Sequence, residues 1–401
     1  MKKIRTIKLL IVLGTRPEAL KLAPVIQAAR KDPRYKLFVC LTGQHREMVE
    51  PILDLFQIIP DYDFQLMKTS QSLEEITTGV LSRMAILLKD LRPHVVMVQG
   101  DTTSAMSAAL QAAYAGVPVA HVEAGLRSFN LKEPFPEELN RRLISHLTEY
   151  HFAPTPSARH NLLREGIAAS QILVTGNTII DALQQVAKSA AGKAAGPSRK
   201  TKRILVTAHR RENWGKPLQS ICGALKKLAA RHPDLEIIYP VHPNPRVSQT
   251  VFKELGEASA QIRLLPPMPY LEFLNCIRES TLILTDSGGV QEEAPSLGKP
   301  VLVLRRVSER MEGVKAGVAK LVGTSQEKIF KETSRLLEEP AYYRKMTQRC
   351  NPYGDGKASQ RILNFLAQKI SVENLNQNKS KNYESLDLRK FQENRAPILA
   401  Q

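Results

Sequence analysis

Short apolar runs alternate with longer amphipathic stretches along most of the chain. The runs are rich in Val, Ile and Leu, which is typical of strands buried in a parallel sheet. The stretches between them, such as Leu73–Leu88 and Ser104–Ala115, repeat their apolar positions with the period of a helix. This alternation predicts a parallel sheet with helices on both faces. The strands predicted in the first half are Ile7–Leu13, Leu37–Leu41, Val95–Val98, Val119–Val122, His151–Ala153 and Ile172–Val174.

A second series of the same kind follows residue 202. The segment 187–202, AKSAAGKAAGPSRKTK, is rich in Ala, Gly and Ser and lacks large apolar residues, as an inter-domain connection does. Two such series predict an α/β protein with two Rossmann-like domains, whose parallel sheets face a central cleft that binds the ligand. The strands predicted in the second half are Ile204–Thr207, Leu235–Val241, Leu282–Thr285 and Val301–Leu304.

The same pattern gives the domain boundaries. The C-terminal segment is rich in Asn, Gln and charge, which favours a loosely ordered polar tail to which we assign no function. The predicted parts are an N-terminal Rossmann-like domain (1–186), a linker (187–202), a C-terminal Rossmann-like domain that binds the nucleotide (203–350), a helix packing back on the first domain (351–370) and the tail (371–401).

The first apolar run, in LLIVLGTRPEALK, has two interpretations. As a secretory signal it is poor, because Lys8 interrupts it and no small-residue cleavage site follows. As a buried strand it is good, since Gly14 permits a sharp exit and Pro17 suits the first turn of a helix. Glu18 then lies near the positive end of that helix. We therefore expect strand, loop and helix.

Composition narrows the class of protein. The chain has 401 residues, 43% of them apolar, and no apolar run long enough to cross a membrane. Its four cysteines are far apart and show no metal-binding spacing, which favours reduced thiols in a cytoplasmic protein. These features predict a cytoplasmic enzyme without a membrane partner or a bound metal.

The formal charge of +18 raises the question of nucleic acid. Only the stretch from Lys188 to Arg211 is strongly one-signed, and no basic motif interleaved with aromatic residues occurs. A basic enzyme that acts on a phosphorylated, acidic substrate explains the charge as well. We expect no nucleic-acid partner.

Charged residues follow the predicted strands of the first domain. Arg16 and Lys21 follow the first strand, Asp101 and Glu123 follow two later ones, and Glu137 begins a predicted helix. Each acid has a structural alternative: Asp101 as a helix cap, Glu123 as a partner of Arg127, Glu137 as a favourable charge at a helix N-terminus. Three purely structural acids at one sheet edge are less plausible than one acid/base site.

The stretch TLILTDSGGVQEEAPSLGKP is the most informative in the second domain. A buried strand ends at Asp286, and Ser287, Gly288 and Gly289 open a helix. Glycines without side chains let a diphosphate approach the amide dipoles. Glu292 and Glu293 lie about one turn further on, where they can accept hydrogen bonds from a ribose.

Two histidines also lie at predicted strand ends, His209 in VTAHRREN and His242 in YPVHPNP. An isolated histidine is more often structural, so spacing alone leaves both roles open. For His45, in TGQHRE, the functional interpretation is weaker.

Together these motifs resemble the bacterial non-hydrolysing UDP-N-acetylglucosamine 2-epimerases. The match runs from about residue 9 to 368, in order and with compatible spacing. The resemblance implies two domains of the GT-B glycosyltransferase type, a homodimer, and interconversion of UDP-N-acetylglucosamine and UDP-N-acetylmannosamine for surface polysaccharides. It implies no cofactor. The matching motifs are GTRPEALKLAP, TGQH, QGDTTS, HVEAGLRS, PFPEELNRR, FAPT, TGNTIIDAL, VTAHRREN, YPVHPNP, TDSGGVQEEAPSLGKPVLVLR and NPYGDGKAS.

By motif, the resemblance also implies residue roles. The acid/base and leaving-group residues are Asp101, Glu123, Glu137 and His209; the substrate-binding residues are Arg16, Lys21, His242, Met268, Phe273, Ser287, Gly288, Gly289, Glu293 and Arg310; and Gln44, His45 and Arg46 match part of a second, activating site for UDP-N-acetylglucosamine. In one loop the chain departs from the family: Arg306 replaces an acid and Met311 a proline, which predicts a less constrained loop around Arg310.

Other activities remain open at this level. A glycosyltransferase of the same fold, or a hydrolysing epimerase that releases UDP and free sugar, would use much the same residues. A regulatory protein that only binds a nucleotide sugar would not need the full set of acids.

Overall fold

The computed structural model describes residues 6–43, 46–66, 71–190, 202–257, 259–308, 310–348 and 351–370. Two parallel sheets with helices packed against them form the core, as predicted. In the described part of the chain the strands are β1 Ile7–Leu13, β2 Tyr35–Leu41, β3 Tyr62–Asp63, β4 Val95–Gln99, β5 Val119–Val122, β6 Tyr150–Ala153, β7 Ile172–Val174, β8 Lys202–Thr207, β9 Leu235–Pro240, β10 Ile262–Leu265, β11 Leu282–Thr285, β12 Val301–Val303 and β13 Ala319–Leu321.

The first sheet has the order β3-β2-β1-β4-β5-β6-β7 and the second β10-β9-β8-β11-β12-β13. In both sheets the order reverses beside the first strand, so a crevice opens at the carboxyl ends of the central strands. Ten strands were predicted; β3, β10 and β13 were missed. The helices in the described ranges are α1 Arg16–Lys31, α2 Arg46–Leu55, α3 Leu73–Leu91, α4 Thr103–Tyr114, α5 Glu137–Leu147, α6 Pro156–Arg164, α7 Thr178–Ala190, α8 Lys216–Arg231, α9 Pro245–Leu255, α10 Tyr270–Glu279, α11 Gly288–Ser296, α12 Met311–Ala316, α13 Gln326–Glu338, α14 Pro340–Thr347 and α15 Ala358–Lys369.

The first loop forms as its sequence requires. Glu18, in the first turn of α1, accepts hydrogen bonds from the backbone N–H groups of Gly14 (2.6 Å) and Thr15 (2.7 Å). This capping arrangement satisfies donors that the helix itself cannot use. It fixes the direction in which α1 leaves β1, and therefore the position of Lys21 one turn later.

The last helix, α15, packs against α1 and α7 of the first lobe. Phe365 makes edge-on ring contacts with Tyr150 and Phe152 of β6. The backbone N–H groups of Ala358 and Ser359 donate to the Asp181 carboxylate of α7. The chain thus returns from the second lobe to the first, and the two lobes are connected at more than one place.

Several predicted features lie outside the described residues. The linker 187–202 and the tail 371–401 lie wholly or mostly outside the described residues, and so do Gln44, His45 and Cys350.

Among the described residues, no helix is long and apolar enough to cross a membrane. Cys40 and Cys222 are buried free thiols, and Cys276 is half-buried.

Candidate active site

The cleft contains a buried network of charges that joins the two lobes. Lys21, on α1, places its Nζ atom 2.7 and 2.6 Å from the carboxylate oxygens of Glu123, which follows β5. The same Nζ lies 3.4 Å from Glu292 Oε2, on α11 of the other lobe. Arg310 bonds Glu292 through Nε (2.7 Å) and lies 3.6 Å from Glu123. Three predicted site residues, Lys21, Glu123 and Arg310, are therefore in direct contact.

Burial and charge change the acidity of this network. Burial, reinforced by Glu292, raises the pKa of Glu123 despite the opposing effect of Lys21 and Arg310. Burial alone would lower the pKa of Lys21, but the Glu123 and Glu292 carboxylates raise it. The lysine is therefore a fixed cation, and Glu123 is more basic than an exposed carboxylate.

Asn177 was missed as a site residue, and Glu292 was predicted only as a candidate acceptor for a ribose. The Asn177 amide donates to Glu292 Oε2 (3.0 Å) from the first lobe, and its own N–H donates to the Tyr353 carbonyl. Glu292 stands beside Glu293 in the sequence, and only the phase of α11 shows that Glu292 faces Lys21 and Arg310. The motif TGNT contained Asn177, but nothing in its spacing predicted a partner in the other lobe.

Asp101 and Glu137 lie on adjoining elements. Asp101 pairs with Arg141 of α5 (2.6 Å), whereas Thr102 caps α4 by accepting the N–H of Ala105. The alternative role of Asp101 as a helix cap is therefore wrong. Glu137 is the first residue of α5, and its buried Oε2 has no hydrogen-bond partner among the described residues. A buried carboxylate oxygen without a partner is unusual and favours contact with a ligand.

The structure also rejects the structural alternative for Glu123. Arg127 binds Glu165 (2.6 Å), the Ser145 hydroxyl and the Leu126 carbonyl. Glu123 instead contacts Lys21, and the Gln99 amide donates to it. The carboxylate therefore faces the cleft network rather than its neighbour in sequence.

His209 and His242 form a second group at the carboxyl ends of β8 and β9 in the other sheet. Their rings stack at 5.2 Å. His209 Nδ1 lies 3.3 Å from Asp286, whose carboxylate also accepts the backbone N–H groups of His209 and Arg210. Burial lowers the pKa of His209, against the opposing effect of Asp286, so the imidazole is neutral near pH 7. Asp286 orients this histidine and was not predicted to do so.

The glycine-opened helix α11 is built as expected for an anion site. An added Cβ at Gly288 would meet the Arg310 guanidinium at 2.5 Å, so only glycine allows that cation to lie against the helix start. Above Gly289 there is open space. Ser287 is the N-cap residue, and its N–H donates to the Thr285 hydroxyl. Amide dipoles and a guanidinium thus meet at one point, which favours a phosphate.

Two further predicted residues, Glu293 and Arg16, contact the Tyr270 side chain at the start of α10. Glu293 is buried, accepts a hydrogen bond from the Tyr270 hydroxyl (3.4 Å), and has its pKa raised to about 7 by burial and by Glu292. Arg16 lies over the Tyr270 ring. Met268 and Phe273 are half-buried against the apolar core around α10.

The loop that departs from the expected sequence holds Arg310 firmly. The Ser308 hydroxyl accepts the Arg310 N–H (3.1 Å) and donates to Gln291 (2.8 Å). The Tyr353 hydroxyl donates to the Arg310 carbonyl. Met311 begins α12 where a proline would also fit, and Arg306 is exposed. Within the described ranges, no group of His, Cys, Asp and Glu side chains is placed to hold a metal ion.

Two parallel sheets that face a cleft lined with buried acids and cations define a two-lobed α/β enzyme of the GT-B type. A kitacinnamycin glycotransferase, only 13% identical, shares this fold with a TM-score of 0.59 and covers 90% of this chain and 100% of its own. The family model for UDP-N-acetylglucosamine 2-epimerase matches residues 27–367, and the chain belongs to that family.

Relatives agree with this assignment. The UDP-N-acetylglucosamine 2-epimerase of Escherichia coli K12 is 49% identical over 371 residues, which is 90% of this chain and 98% of that protein. The crystal structure of the Neisseria meningitidis UDP-GlcNAc 2-epimerase bound to UDP-GlcNAc has a TM-score of 0.86 at 46% identity, covering 90% of this chain and 100% of that one. The resemblance and the fold class predicted from the sequence are thus confirmed.

Proposed function

We propose that the chain is a non-hydrolysing epimerase, which interconverts UDP-N-acetylglucosamine and UDP-N-acetylmannosamine by elimination and re-addition of UDP. The observation that carries this proposal is the network of Lys21, Glu123, Glu292 and Arg310. In it the buried Glu123 of one lobe lies close to Arg310 of the other, whose guanidinium lies against the start of α11. The bound UDP-GlcNAc of the Neisseria relative fits a site of this composition.

The proposed reaction has two stages, elimination of UDP and its re-addition. A base removes the proton on carbon 2, and the C–H electron pair becomes the C1–C2 double bond of a glycal. The anomeric C–O bond breaks, and its electron pair leaves with UDP. Return of a proton to the opposite face of carbon 2, with re-addition of UDP at carbon 1, gives the epimer. Two faces require at least two acid/base groups, and these are drawn from Asp101, Glu123, Glu137 and His209.

We infer the binding roles from the motifs that the chain shares with the family, and the contacts of Arg310 at the start of α11 support them. Amide groups at Ser287, Gly288 and Gly289 hold the diphosphate together with Arg310, and these dipoles stabilise the departing UDP. Glu293 accepts the ribose hydroxyls, Met268 and Phe273 border the uracil, and Arg16, Lys21 and His242 face the remainder of the substrate. We further propose an activating UDP-N-acetylglucosamine at Gln44, His45 and Arg46, a cytoplasmic homodimer that supplies polysaccharide synthesis, and the domain boundaries given above.

Proton NMR of UDP-N-acetylglucosamine with the enzyme in heavy water tests the reaction. We expect deuterium at carbon 2 together with the manno product, and no steady accumulation of free UDP. Accumulating UDP with free sugar would instead identify a hydrolysing epimerase, and transfer of the sugar to an added acceptor would identify a glycosyltransferase.

Asp101→Asn tests the acid set. It preserves shape and removes the carboxylate, so we expect turnover to fall by at least about a hundredfold while substrate binding stays measurable by calorimetry. Unchanged turnover would remove Asp101 from the mechanism.

A further inference from the structure

The turn after β4 is held by side chains from two other elements. Gly100 has φ 74°, and an added Cβ would find open space, so the backbone conformation rather than crowding requires glycine. Its N–H donates to the Val122 carbonyl (3.0 Å). The next two acceptors, the carbonyls of Gly100 and Asp101, each bind a buried side chain, His121 and Asn140.

His121 holds the first carbonyl. Its Nε2 lies 2.7 Å from Gly100 O, and because a carbonyl only accepts, Nε2 must carry the proton. Nδ1 has no hydrogen-bond partner among the described residues. Burial lowers the pKa of His121 to about 3, so the ring stays neutral, in one tautomer, through the range in which enzymes work.

Asn140 holds the second carbonyl. Its amide, 3% exposed as a residue, donates to Asp101 O at 2.9 Å. Asn140 lies on the same face of α5 as Glu137 and Arg141, because these positions are three and four residues apart. Arg141 binds the Asp101 carboxylate itself. One face of α5 thus carries one proposed acid, Glu137, and fixes both the main chain and the side chain of another, Asp101.

We propose that His121 and Asn140 are positioning residues, which fix the two peptide units on either side of the Asp101 Cα atom so that the Asp101 carboxylate is aligned with carbon 2 of the sugar. The proposal rests on the proposed epimerase function. A glycine turn has several accessible conformations, so two buried donors are needed to select one. Misplacement of a reacting group by about 1 Å reduces the rate about a hundredfold.

Three variants test the role of His121. His121→Leu removes the donor with little change of volume, and His121→Gln places an amide donor near the position of Nε2. His151→Leu is the matched control, because His151 is the register partner of His121 on β6, equally buried, and one strand further from the turn. Circular dichroism and thermal unfolding show whether each variant folds.

The readouts are kcat, KM and the kinetic isotope effect with substrate deuterated at carbon 2. In His121→Leu we expect kcat to fall about ten- to a hundredfold, KM to change less than twofold, and the isotope effect to rise because proton transfer becomes slower. His121→Gln should recover most of kcat. His151→Leu, even if it unfolds at a lower temperature, should keep the wild-type isotope effect.

Two results would overturn the proposal: an unchanged isotope effect in His121→Leu, or the same rise in His151→Leu. Asn140→Leu provides the second test if His121→Leu does not fold, and the same outcomes apply to it. If both fold, their losses of kcat should be less than multiplicative, because the two side chains fix the successive peptide units that flank the Asp101 Cα atom. Failure of the wild-type protein to exchange carbon 2 would overturn the epimerase function instead, before any variant is compared.

Discussion

At the scale of single residues, the environment decides what each buried glutamate can do. Glu138 is fully buried, yet it accepts backbone N–H groups of Ser128 and Phe129 and pairs with Arg141, so its role is structural. Glu293 is also buried, but among the residues that the structure describes it accepts only a long hydrogen bond from Tyr270. The difference leaves Glu293 available to a ligand.

We predict that substrate binding strengthens as Glu293 ionises. Its pKa of about 7 arises from burial and from Glu292, opposed by Arg16 and Lys21. Only the ionised carboxylate accepts from both ribose hydroxyls, so KM for UDP-N-acetylglucosamine should fall about tenfold between pH 6 and pH 8. In Glu293→Gln, initial rates should give a raised KM that varies less than twofold over the same range.

Ionisation of Glu293 should strengthen substrate binding but lower the free energy of unfolding. Between its ordinary pKa near 4.5 and about 7, the folded protein binds the Glu293 proton and the unfolded chain does not. The free energy of unfolding therefore falls as pH rises through this window, and Glu293→Gln should remove that decrease. An identical pH profile of KM in wild type and Glu293→Gln would contradict the prediction on binding, and an identical pH profile of the free energy of unfolding in urea titration would contradict the prediction on stability.

Sequence reasoning placed Glu293 in the site but could not separate it from Glu292. Both follow Ser-Gly-Gly by about one turn, and both are buried although their side chains are charged. Glu292 gains its role from Lys21 and Asn177, which lie more than a hundred residues away in the sequence. Partners contributed by another lobe leave no local pattern.

At the scale of elements, the central strands were predictable, whereas three of the four edge strands were not. β1, β5 and β11 begin and end at the predicted residues, because an apolar run buried on both faces has clear limits. The short edge strand β7 was also predicted with its observed limits. β3 has two residues and lies at the edge of its sheet, and β10 and β13 are also edge strands. Edge strands carry polar residues, so their pattern is weak.

The N-terminus of α15 gives a prediction at this scale. No side chain of its own N-cap residue caps the helix, but Asp181 of α7 accepts the N–H groups of Ala358 (3.2 Å) and Ser359 (2.8 Å). Asp181 is 5% exposed, so its loss leaves two buried donors unpaired. We expect Asp181→Ala to reduce the free energy of unfolding by about 1–3 kcal/mol in urea titration.

Asp90→Ala is the control for this change. Asp90 lies on α3 and is exposed, so its removal should alter stability by less than about 0.5 kcal/mol. Asp181→Asn, which keeps one acceptor oxygen, should fall between the two. Equal midpoints for Asp181→Ala and Asp90→Ala would show that α15 is held by its apolar face alone.

At the scale of the whole molecule, Glu292 is one of the points at which the two lobes attract each other. It binds Arg310 within its own lobe and faces Lys21 and Asn177 of the other. A further bond, from the Thr155 hydroxyl to Glu312 (2.7 Å), crosses the cleft near its edge. Because Lys21 and Arg310 also contact Glu123, closure of the cleft and placement of that acid depend on the same charges.

The role of Glu292 in closing the cleft can be tested by removing its charge. Glu292→Gln leaves Lys21 and Arg310 with one carboxylate fewer, so the ligand-free lobes should separate and the radius of gyration from small-angle X-ray scattering should increase. Breaking a buried pair of this kind also lowers the free energy of unfolding by about 3–5 kcal/mol. Glu254→Gln makes the same change of charge in an exposed pair with Lys226 within one lobe and should alter neither quantity. In the proposed complex the substrate diphosphate brings negative charge to Arg310, so saturating UDP-N-acetylglucosamine should return Glu292→Gln to the wild-type radius. A radius that stays large with substrate bound would mean that Glu292 shapes the cleft itself, rather than closing it in place of the ligand.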